Sequence, residues 1–197
     1  MVLVAAIAVA MTALLRGASG DTAADGNGPR PTDAPASPTP PSEFRTIDVA
    51  NIAAEIPSGW TVVRSVPDTI VAADPQRRAM WLRSGVVPTA LTLDSLQQLL
   101  VERLSEQSPN ARLCAGPETA QVPGATIAGR YFVVCYIHVP QGGGVAAQLS
   151  DAFYVGVDAS GTIPIVMQLT APPASIDEFA GMVHELPAPR WKLLSAE

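Results

Sequence analysis

The sequence predicts an α+β protein with a mainly antiparallel β-sheet and helices packed on it. Segments with strand composition outnumber the two segments that have helical periodicity. The connections between the predicted strands are mostly of hairpin length, which favours antiparallel pairing. A long apolar segment, Ile127–Pro140 (IAGRYFVVCYIHVP), is expected to be buried inside a folded domain. The rest of the domain is expected to be organised around this segment.

The central segment has the composition of a buried strand. From Tyr131 to Val139 nearly every residue is β-branched, aromatic or cysteine, types that favour a pleated and half-buried surface. Neither the odd nor the even positions are polar as a set, which predicts a strand covered on both faces. Pro140 and the glycines that follow it end the strand. A buried helix is the competing interpretation, but the segment is short for one and rich in strand-forming residues.

Five short extended segments precede the first helix. Turn residues at Pro57-Ser58-Gly59 and Asp74-Pro75 separate some of them. The predicted strands are Ile47–Val49, Ala53–Ile56, Trp60–Arg64, Thr69–Ala73 and Ala79–Arg83.

Two segments have the periodicity of amphipathic helices. Thr92–Gln107 carries leucines at helical spacing, and Thr92 or Asp94 can cap it. Ser175–Leu186 begins with the S-x-x-E pattern of a capping box. Both helices are expected to pack on the sheet, with three side chains buried: Leu99, Leu100 and Phe179.

The second half of the chain adds further strands. Arg112–Ala115 and Glu118–Val122 are predicted as one strand broken at Gly116-Pro117. After the central segment, Ala152–Val157 and Ile163–Thr170 are predicted as a hairpin, whose loop is Asp158–Gly161.

Composition bounds the function. The chain has 197 residues, of which 48% are hydrophobic and 15% charged. The formal net charge of −6 argues against nucleic acid as a partner, because binding a phosphate backbone requires a basic surface. We divide the chain into an N-terminal signal peptide or anchor at 1–20, a linker rich in Pro, Ala, Ser and Thr at 21–43, and a single domain at 44–197.

The N-terminal segment predicts export. Met1–Leu15 has no charged residue and as a helix spans about 22 Å, short of the roughly 30 Å of a bilayer core. This length suits a signal-peptide core better than a membrane span. No basic residue precedes it, and Arg16 follows it. A true start upstream of Met1 would supply the missing basic region and a longer anchor. Cleaved and membrane-anchored forms both remain open, and the linker is expected to be an extended spacer without fixed structure.

The two cysteines, Cys114 and Cys135, are predicted to form a disulfide. No CxxC motif is present, and in an exported protein an isolated pair is most simply a disulfide. If Pro123-Gly124 turns one strand back on the other, the two cysteines lie opposite or nearly so in an antiparallel pair. The alternative is two adjacent buried thiols, which is what a cytosolic location would imply.

The order of elements resembles a known family. An early strand ends in I-P-S-G-W at Ile56–Trp60, a helix follows, and a turn leads into the G-R-Y strand at Gly129–Tyr131. A paired hairpin and a last helix complete the order. This arrangement resembles the LpqN family of actinobacterial envelope proteins, in the wider PsbP-like superfamily. The resemblance implies an α/β/α sandwich and a binding or assembly role. Many members are lipoproteins, but here Ala18 stands where their lipidated cysteine would be.

Several residues are candidate metal ligands or catalytic groups. His138, His184 and the two cysteines match no compact ligand motif, so we predict no metal and no cofactor. Cys135 and His138 are three positions apart on a strand and therefore point to opposite faces, which argues against a thiol nucleophile with a histidine base. Gln141–Gly144 lacks the Lys-Ser/Thr of a phosphate loop and is interpreted as a hairpin tip.

The remaining candidates have ordinary structural interpretations. Trp60 and Trp81 lie in predicted strands and are expected in the core rather than in a ligand site. Four aspartates are placed at strand ends, where Asp favours turns: Asp68, Asp74, Asp151 and Asp158. We therefore predict no catalytic residues.

Function is predicted only at a coarse level. Export, a spacer and a compact domain without catalytic residues favour a non-enzymatic binding or accessory module of the bacterial cell envelope. Its partner would be a protein, or a lipid-like envelope molecule held between sheet and helix. An envelope hydrolase with a site dispersed in sequence, or the sensor ectodomain of a membrane system, is the alternative.

Overall fold

The computed structural model describes residues 43–108, 110–140 and 144–195. It has the predicted α+β class, with antiparallel strands and two α-helices. In chain order the elements are β1 Phe44–Asp48, β2 Ile52–Pro57, β3 Thr61–Val66, β4 Thr69–Ala73, β5 Ala79–Ser84, α1 Leu93–Gln107, β6 Arg112–Gln121, β7 Ala128–His138, β8 Ala147–Val157, β9 Pro164–Ala171, a 3₁₀ turn Pro173–Ser175, α2 Ile176–His184, β10 Arg190–Trp191 and a second 3₁₀ turn Lys192–Ser195.

The strands form two antiparallel sheets rather than the single sheet that the sequence predicted. The large sheet has seven strands in the order β3-β4-β5-β9-β8-β7-β6. The small sheet has the order β1-β2-β10. β10 was not predicted, because two residues directly after Pro189 are too few to show strand periodicity. Trp191 of β10 is buried, and its indole Nε1 donates a 2.8 Å hydrogen bond to the Pro123 carbonyl oxygen.

The helices pack on opposite faces of the large sheet, as predicted, and not on each other. α2 lies on β8 and β9, and α1 lies on β6, β7 and β8. The larger core joins α2, the small sheet and one face of the large sheet. Its largest buried members include Ile52, Ile56, Trp60, Leu82, Phe179 and Trp191. The other core lies beneath α1 and includes Leu96, Leu100, Leu104, Phe132, Val134 and Phe153.

Helix α1 corrects one burial prediction. Leu100 is 6% exposed and buried as expected, but Leu99 is 38% exposed. The buried stripe is Leu96, Leu100 and Leu104, and Leu99 is one residue, or about 100° around the helix, from the middle of that stripe. Thr92 is the N-cap: its hydroxyl accepts from the Ser95 backbone N–H, and the Ser95 hydroxyl accepts from the Thr92 backbone N–H.

Helix α2 is shorter than predicted, and its capping box is absent. Ser175 belongs to the preceding 3₁₀ turn, and its hydroxyl donates to the Pro172 carbonyl oxygen at 3.2 Å. The backbone of Ser175 is not in the extended conformation of a capping residue. Glu178 instead accepts from Arg78 at 3.1 Å. Phe179 is fully buried, as predicted.

The central strand β7 lies between β6 and β8 in the large sheet. Both of its faces are covered in the middle, where Phe132 and Val134 lie in the core beneath α1 and Val133 in the core beneath α2. Coverage ends near Ile137, which is 37% exposed. The prediction of a strand covered on both faces is therefore confirmed for its middle and wrong for its end.

Several predictions concern residues outside the described ranges. They are the N-terminal segment 1–20, all but the last residue of the linker 21–43, and the glycine-rich tip at 141–143. None of the described helices is both long enough and apolar enough to cross a bilayer.

Candidate functional site

Two tyrosines on neighbouring strands form an aromatic pair on the α2 side of the large sheet. Tyr131 of β7 lies opposite Tyr154 of β8, and their ring centroids are 4.9 Å apart. Opposite residues of an antiparallel pair have adjacent side chains, so this contact follows directly from the strand register. Both rings are only half-buried, at the edge of the core beneath α2.

His184, the last residue of α2, holds the second tyrosine. Its Nε2 lies 2.7 Å from the Tyr154 hydroxyl, and the two rings are nearly perpendicular with centroids 5.3 Å apart. Burial, with a smaller contribution from Tyr131, raises the pKa of Tyr154 to about 12. Tyr154 is therefore neutral at physiological pH. These contacts hold its ring in place.

Two carboxylates flank the first tyrosine. Glu118 lies opposite Tyr131 in the pairing of β6 with β7, and Asp177 lies in the first turn of α2. Burial raises the pKa of Tyr131, and the negative charges of Asp177 and Glu118 raise it further. Both carboxylates are exposed, and among the described residues neither forms a salt bridge. We call Glu118, Tyr131, Tyr154, Asp177 and His184 the tyrosine patch.

A cavity of about 240 Å³ lies along the same strands toward the end of β7. It has a mixed lining, with the guanidinium of Arg112 as a cationic group and Ile137 as an exposed apolar one. Its lining residues are Asn110, Arg112, Cys135, Tyr136, Ile137, Gln148, Leu149 and Pro173.

The structure joins Cys114 and Cys135 by a disulfide, with the two sulfur atoms 2.05 Å apart and the Cα atoms 5.9 Å apart. The predicted register is confirmed next to the turn, where Glu118 pairs with Tyr131, but it is not kept at the cysteines, which lie close together without being strand opposites. Cys135 pairs with Arg112, and Cys114 lies in an irregularity between Leu113 and Ala115. A second irregularity follows before Glu118. Together they shift the pairing away from the register expected from a regular hairpin around Gly124.

Asp151 forms a buried polar cluster that the sequence analysis missed. It was placed at a strand end, but it lies inside β8 and is completely buried. The strand extends beyond it because residues 147–150 pair with the end of β7. The Tyr136 hydroxyl donates to Oδ1 at 3.2 Å, and the Gln168 amide donates to Oδ2 at 2.8 Å. Burial raises the pKa of Asp151 to about 6, against the Thr170, Tyr136 and Gln168 side chains and the charge of Arg83, which lower it.

Arg83 is the cation of this cluster. It is 4% exposed, and its guanidinium carbon lies 4.8 Å from the centroid of the Trp81 ring. Burial lowers its pKa to about 10, with the charge of Asp151 acting in the opposite direction. Arg83 therefore stays charged at neutral pH. Because Asp151 has no exposed surface, the cluster offers no acid or base to an external substrate.

The structure separates the other candidate groups. Cys135 is held in the disulfide, and His138, whose pKa is lowered by burial, lies near the end of β7. His184 belongs to the tyrosine patch. Within residues 43–108, 110–140 and 144–195, no three His, Cys, Asp or Glu side chains are grouped as metal ligands.

The tryptophans and the remaining aspartates have structural roles. Trp60 and Trp81 are 5% and 2% exposed, as predicted for core residues. Asp74 is buried with Arg78 at 2.6 Å. Asp158 accepts from the backbone N–H of Ile163 at 2.7 Å, in the hairpin turn predicted there.

The space between sheet and helix is small. The apolar cavity beneath α2 encloses about 50 Å³, between Met80 and Met167 of the large sheet and Pro187–Pro189 of the chain after α2. A drug-sized or lipid-like molecule requires several hundred Å³. This cavity is therefore too small to be the site, between sheet and helix, that the sequence suggested for a lipid-like envelope ligand.

The two tyrosines of the patch could have been paired from the sequence. In a regular antiparallel pair the residue numbers of opposite positions have a constant sum. A hairpin centred on the glycine-rich tip at 141–143 places Tyr131 opposite Tyr154, as observed. Asp177 and His184 could not be placed in this way, because their position depends on how α2 packs on the sheet.

No protein-family model matches the chain, and no curated protein matches it. Among solved structures, the chain is similar to the cyanobacterial PsbP protein of Synechocystis, with 15% identity and a TM-score of 0.47, over 81% of this chain and 96% of that one. It is similar to the Ran-binding protein Mog1p of Saccharomyces cerevisiae, with 13% identity and a TM-score of 0.45, over 74% and 85%. It is also similar to LpqN of Mycobacterium tuberculosis, involved in cell envelope biogenesis, with 10% identity and a TM-score of 0.43, over 75% and 90%. At this distance, membership in the LpqN family stays a prediction.

Proposed function

We propose that this chain is an exported, non-enzymatic binding module of the bacterial cell envelope that docks a protein partner on the tyrosine patch. The observation that carries the proposal is the pairing of two half-buried tyrosine rings with exposed carboxylates that lack a salt bridge among the described residues. Tyrosine is enriched at protein interfaces because its ring is large and rigid and its hydroxyl tolerates water.

The patch is organised for binding before a partner arrives. The Tyr131 ring packs on Tyr154, and Tyr154 is held by His184. Side chains that are already fixed lose little conformational entropy when they enter an interface. A protein partner is favoured over a lipid-like one because the apolar cavity beneath α2 encloses only about 50 Å³.

Export is supported by the sequence. An uncharged apolar segment, Met1–Leu15, precedes a proline-rich linker and a single domain at 44–197. The Cys114–Cys135 disulfide suits an oxidising compartment. The linker would hold the domain away from the membrane if residues 1–20 are retained as an anchor, and the domain would be secreted if they are cleaved.

Site-directed photo-crosslinking tests the docking surface. A benzoylphenylalanine replaces Ala120, which neighbours Glu118 on the same side of β6, in the full-length chain in its native envelope. The control position is Gln98, exposed on α1 at the opposite face of the sheet. We expect a crosslinked protein of discrete mass at Ala120 and none at Gln98. Equal crosslinking at both positions, or none at Ala120, would contradict the proposal.

Export is tested separately with residues 1–43 fused to an alkaline phosphatase that lacks its own signal. The enzyme is active only after export, so activity in intact cells is the expected result. An inactive, cytoplasmic fusion would contradict export while leaving the docking proposal standing.

A further inference from the structure

We propose that the partner's anchor is a basic side chain, arginine or lysine, that inserts between Glu118 and Asp177 and lies against the Tyr131 ring. This inference rests on the proposed function and names the chemistry of the partner. It identifies the docked segment as cationic, rather than apolar or acidic.

The first support is the arrangement of charge. Glu118 approaches Tyr131 from the neighbouring strand, and Asp177 approaches it from α2. The two carboxylates thus come from two different elements, β6 and α2, and both act on the same phenol group. A cation placed against the ring is attracted by both of them.

The second support is that neither carboxylate is neutralised by a basic partner in the described part of the chain. Five of the twelve other carboxylates in that part form a salt bridge. The pairs are Asp74–Arg78, Glu178–Arg78, Asp94–Arg130, Glu106–Arg103 and Asp48–Lys192. The described part of the chain gives Glu118 and Asp177 no such partner, so their charges are left for an external cation.

The third support is the aromatic surface. The face of a tyrosine ring attracts Arg and Lys cations, and the attraction grows when water is excluded. Tyr131 is half-buried and braced by Tyr154. A partner that covered the patch only with apolar side chains would remove water from two charged carboxylates without supplying an opposite charge or new hydrogen bonds. Burying unpaired charges in this way costs free energy. An acidic segment would be repelled.

A bound metal ion is a poorer fit to the same residues. Hard divalent cations take six or more oxygen ligands, and protein sites normally supply several of them. The tyrosine patch offers two carboxylates, and the described residues hold no group of three potential ligands. The guanidinium or ammonium of a partner side chain needs only the two carboxylates and the ring.

A matched pair of small probes tests the inference. N-acetyl-arginine amide carries the guanidinium, and N-acetyl-citrulline amide is its neutral isostere. Both are titrated into isotope-labelled protein and followed by NMR. We expect arginine amide to shift the signals of Glu118, Tyr131 and Asp177 with a millimolar dissociation constant, and citrulline amide to leave them unchanged at the same concentrations. Equal shifts with both probes would overturn the proposal, as would arginine shifts confined to other surfaces.

Two charge-removing substitutions locate the effect. Glu118→Gln combined with Asp177→Asn should weaken arginine amide at least five-fold while preserving the folded spectrum. Glu102→Gln is the control, because Glu102 is an acid on α1, at the opposite face of the large sheet. The control should bind arginine amide like the unmodified protein. An equal loss in the control would mean that only the net charge matters, and the proposal would be wrong.

Crosslinking at Ala120 separates this inference from the proposed function. If the double variant loses the crosslinked partner, the cation anchor is supported. If it retains the partner in full, docking on the tyrosine patch stands and the cation anchor is wrong. If the unmodified protein shows no crosslink at Ala120, both the proposed docking function and this inference are wrong.

Discussion

The Tyr136 hydroxyl donates a 3.2 Å hydrogen bond to Asp151 Oδ1 in the interior of the domain, between two adjacent strands of the large sheet. The carboxyl group has no exposed surface, and burial raises its pKa from 3.8 to about 6. A carboxyl whose pKa is higher in the folded state binds its proton more tightly there than in the unfolded chain. The free energy of unfolding therefore falls as pH rises between these two values.

We expect Asp151→Asn to remove this pH dependence. From pH 4 to pH 7 the unmodified protein should lose about 2 kcal/mol relative to the variant, because each unit of pKa shift is worth about 1.4 kcal/mol and part of the change already falls below pH 4. The measurement is guanidinium unfolding of both proteins at several pH values. A constant difference between them over this range would show that Asp151 titrates with its ordinary pKa.

The disulfide should stabilise the domain substantially. Cys114 and Cys135 are 21 residues apart, and closing a loop of that size in the unfolded chain is worth about 3 kcal/mol. Replacing both cysteines by alanine should lower the free energy of unfolding by about this amount relative to the oxidised, unmodified protein. The reduced form of the unmodified protein serves as a second comparison. Thiol titration of unfolded, unreduced protein from an oxidising compartment should find no free thiol. Two free thiols per chain would refute the bond.

Gly124→Ala should destabilise the turn that leads into β7. Gly124 has a φ of +74°, and a Cβ added to it would lie 1.8 Å from the Pro189 carbonyl oxygen. Side chains are strained at such a φ, and the close contact forces the backbone to move. We expect a loss of about 2 kcal/mol or more in thermal or chemical unfolding. Gly59→Ala is the control, since a Cβ there meets nothing within 4 Å, and it should change stability by less than about 1 kcal/mol. Equal losses in both would contradict the close approach.

Phe179→Ala should destabilise the core beneath α2. Phe179 is fully buried, and its ring centroid lies 5.9 Å from that of Trp60. Truncating a buried phenylalanine typically costs about 3–5 kcal/mol. Leu99→Ala, on the exposed side of α1, should cost less than about 1 kcal/mol. Chemical unfolding of the two variants checks both values, and a cost at Leu99 as large as that at Phe179 would mean that its side chain is buried after all.

The fold class was predictable because local patterns and packing agree in most elements. Thr69–Ala73 was predicted with the bounds that the structure has, since turn residues follow it directly. Thr92 was one of two candidate capping residues, with Asp94, and the structure shows that Thr92 is the N-cap. The division into two sheets was not predictable, because the pairing of β10 with β2 depends on contacts between the two ends of the domain.

The candidate site was less predictable, for reasons of register and packing. The two irregularities in β6 move Cys114 off its expected partner, and no residue pattern shows where a strand gains an extra residue. Asp151 was misplaced because Asp favours turns when its surroundings are unknown. Its buried partners, Tyr136 and Gln168, come from the two neighbouring strands and are not visible in its own segment.

The small sheet makes completion of the fold depend on a segment that follows all the other strands in chain order. β2 lies between β1, at the start of the domain, and β10, near its end. Until β10 pairs with β2, one edge of β2 is unpaired and the core around Ile52 lacks the buried indole of Trp191. A chain that crosses a membrane from its N-terminus would therefore finish this sheet only after every strand of the large sheet has been translocated, and a chain truncated before Arg190 would keep an open strand edge.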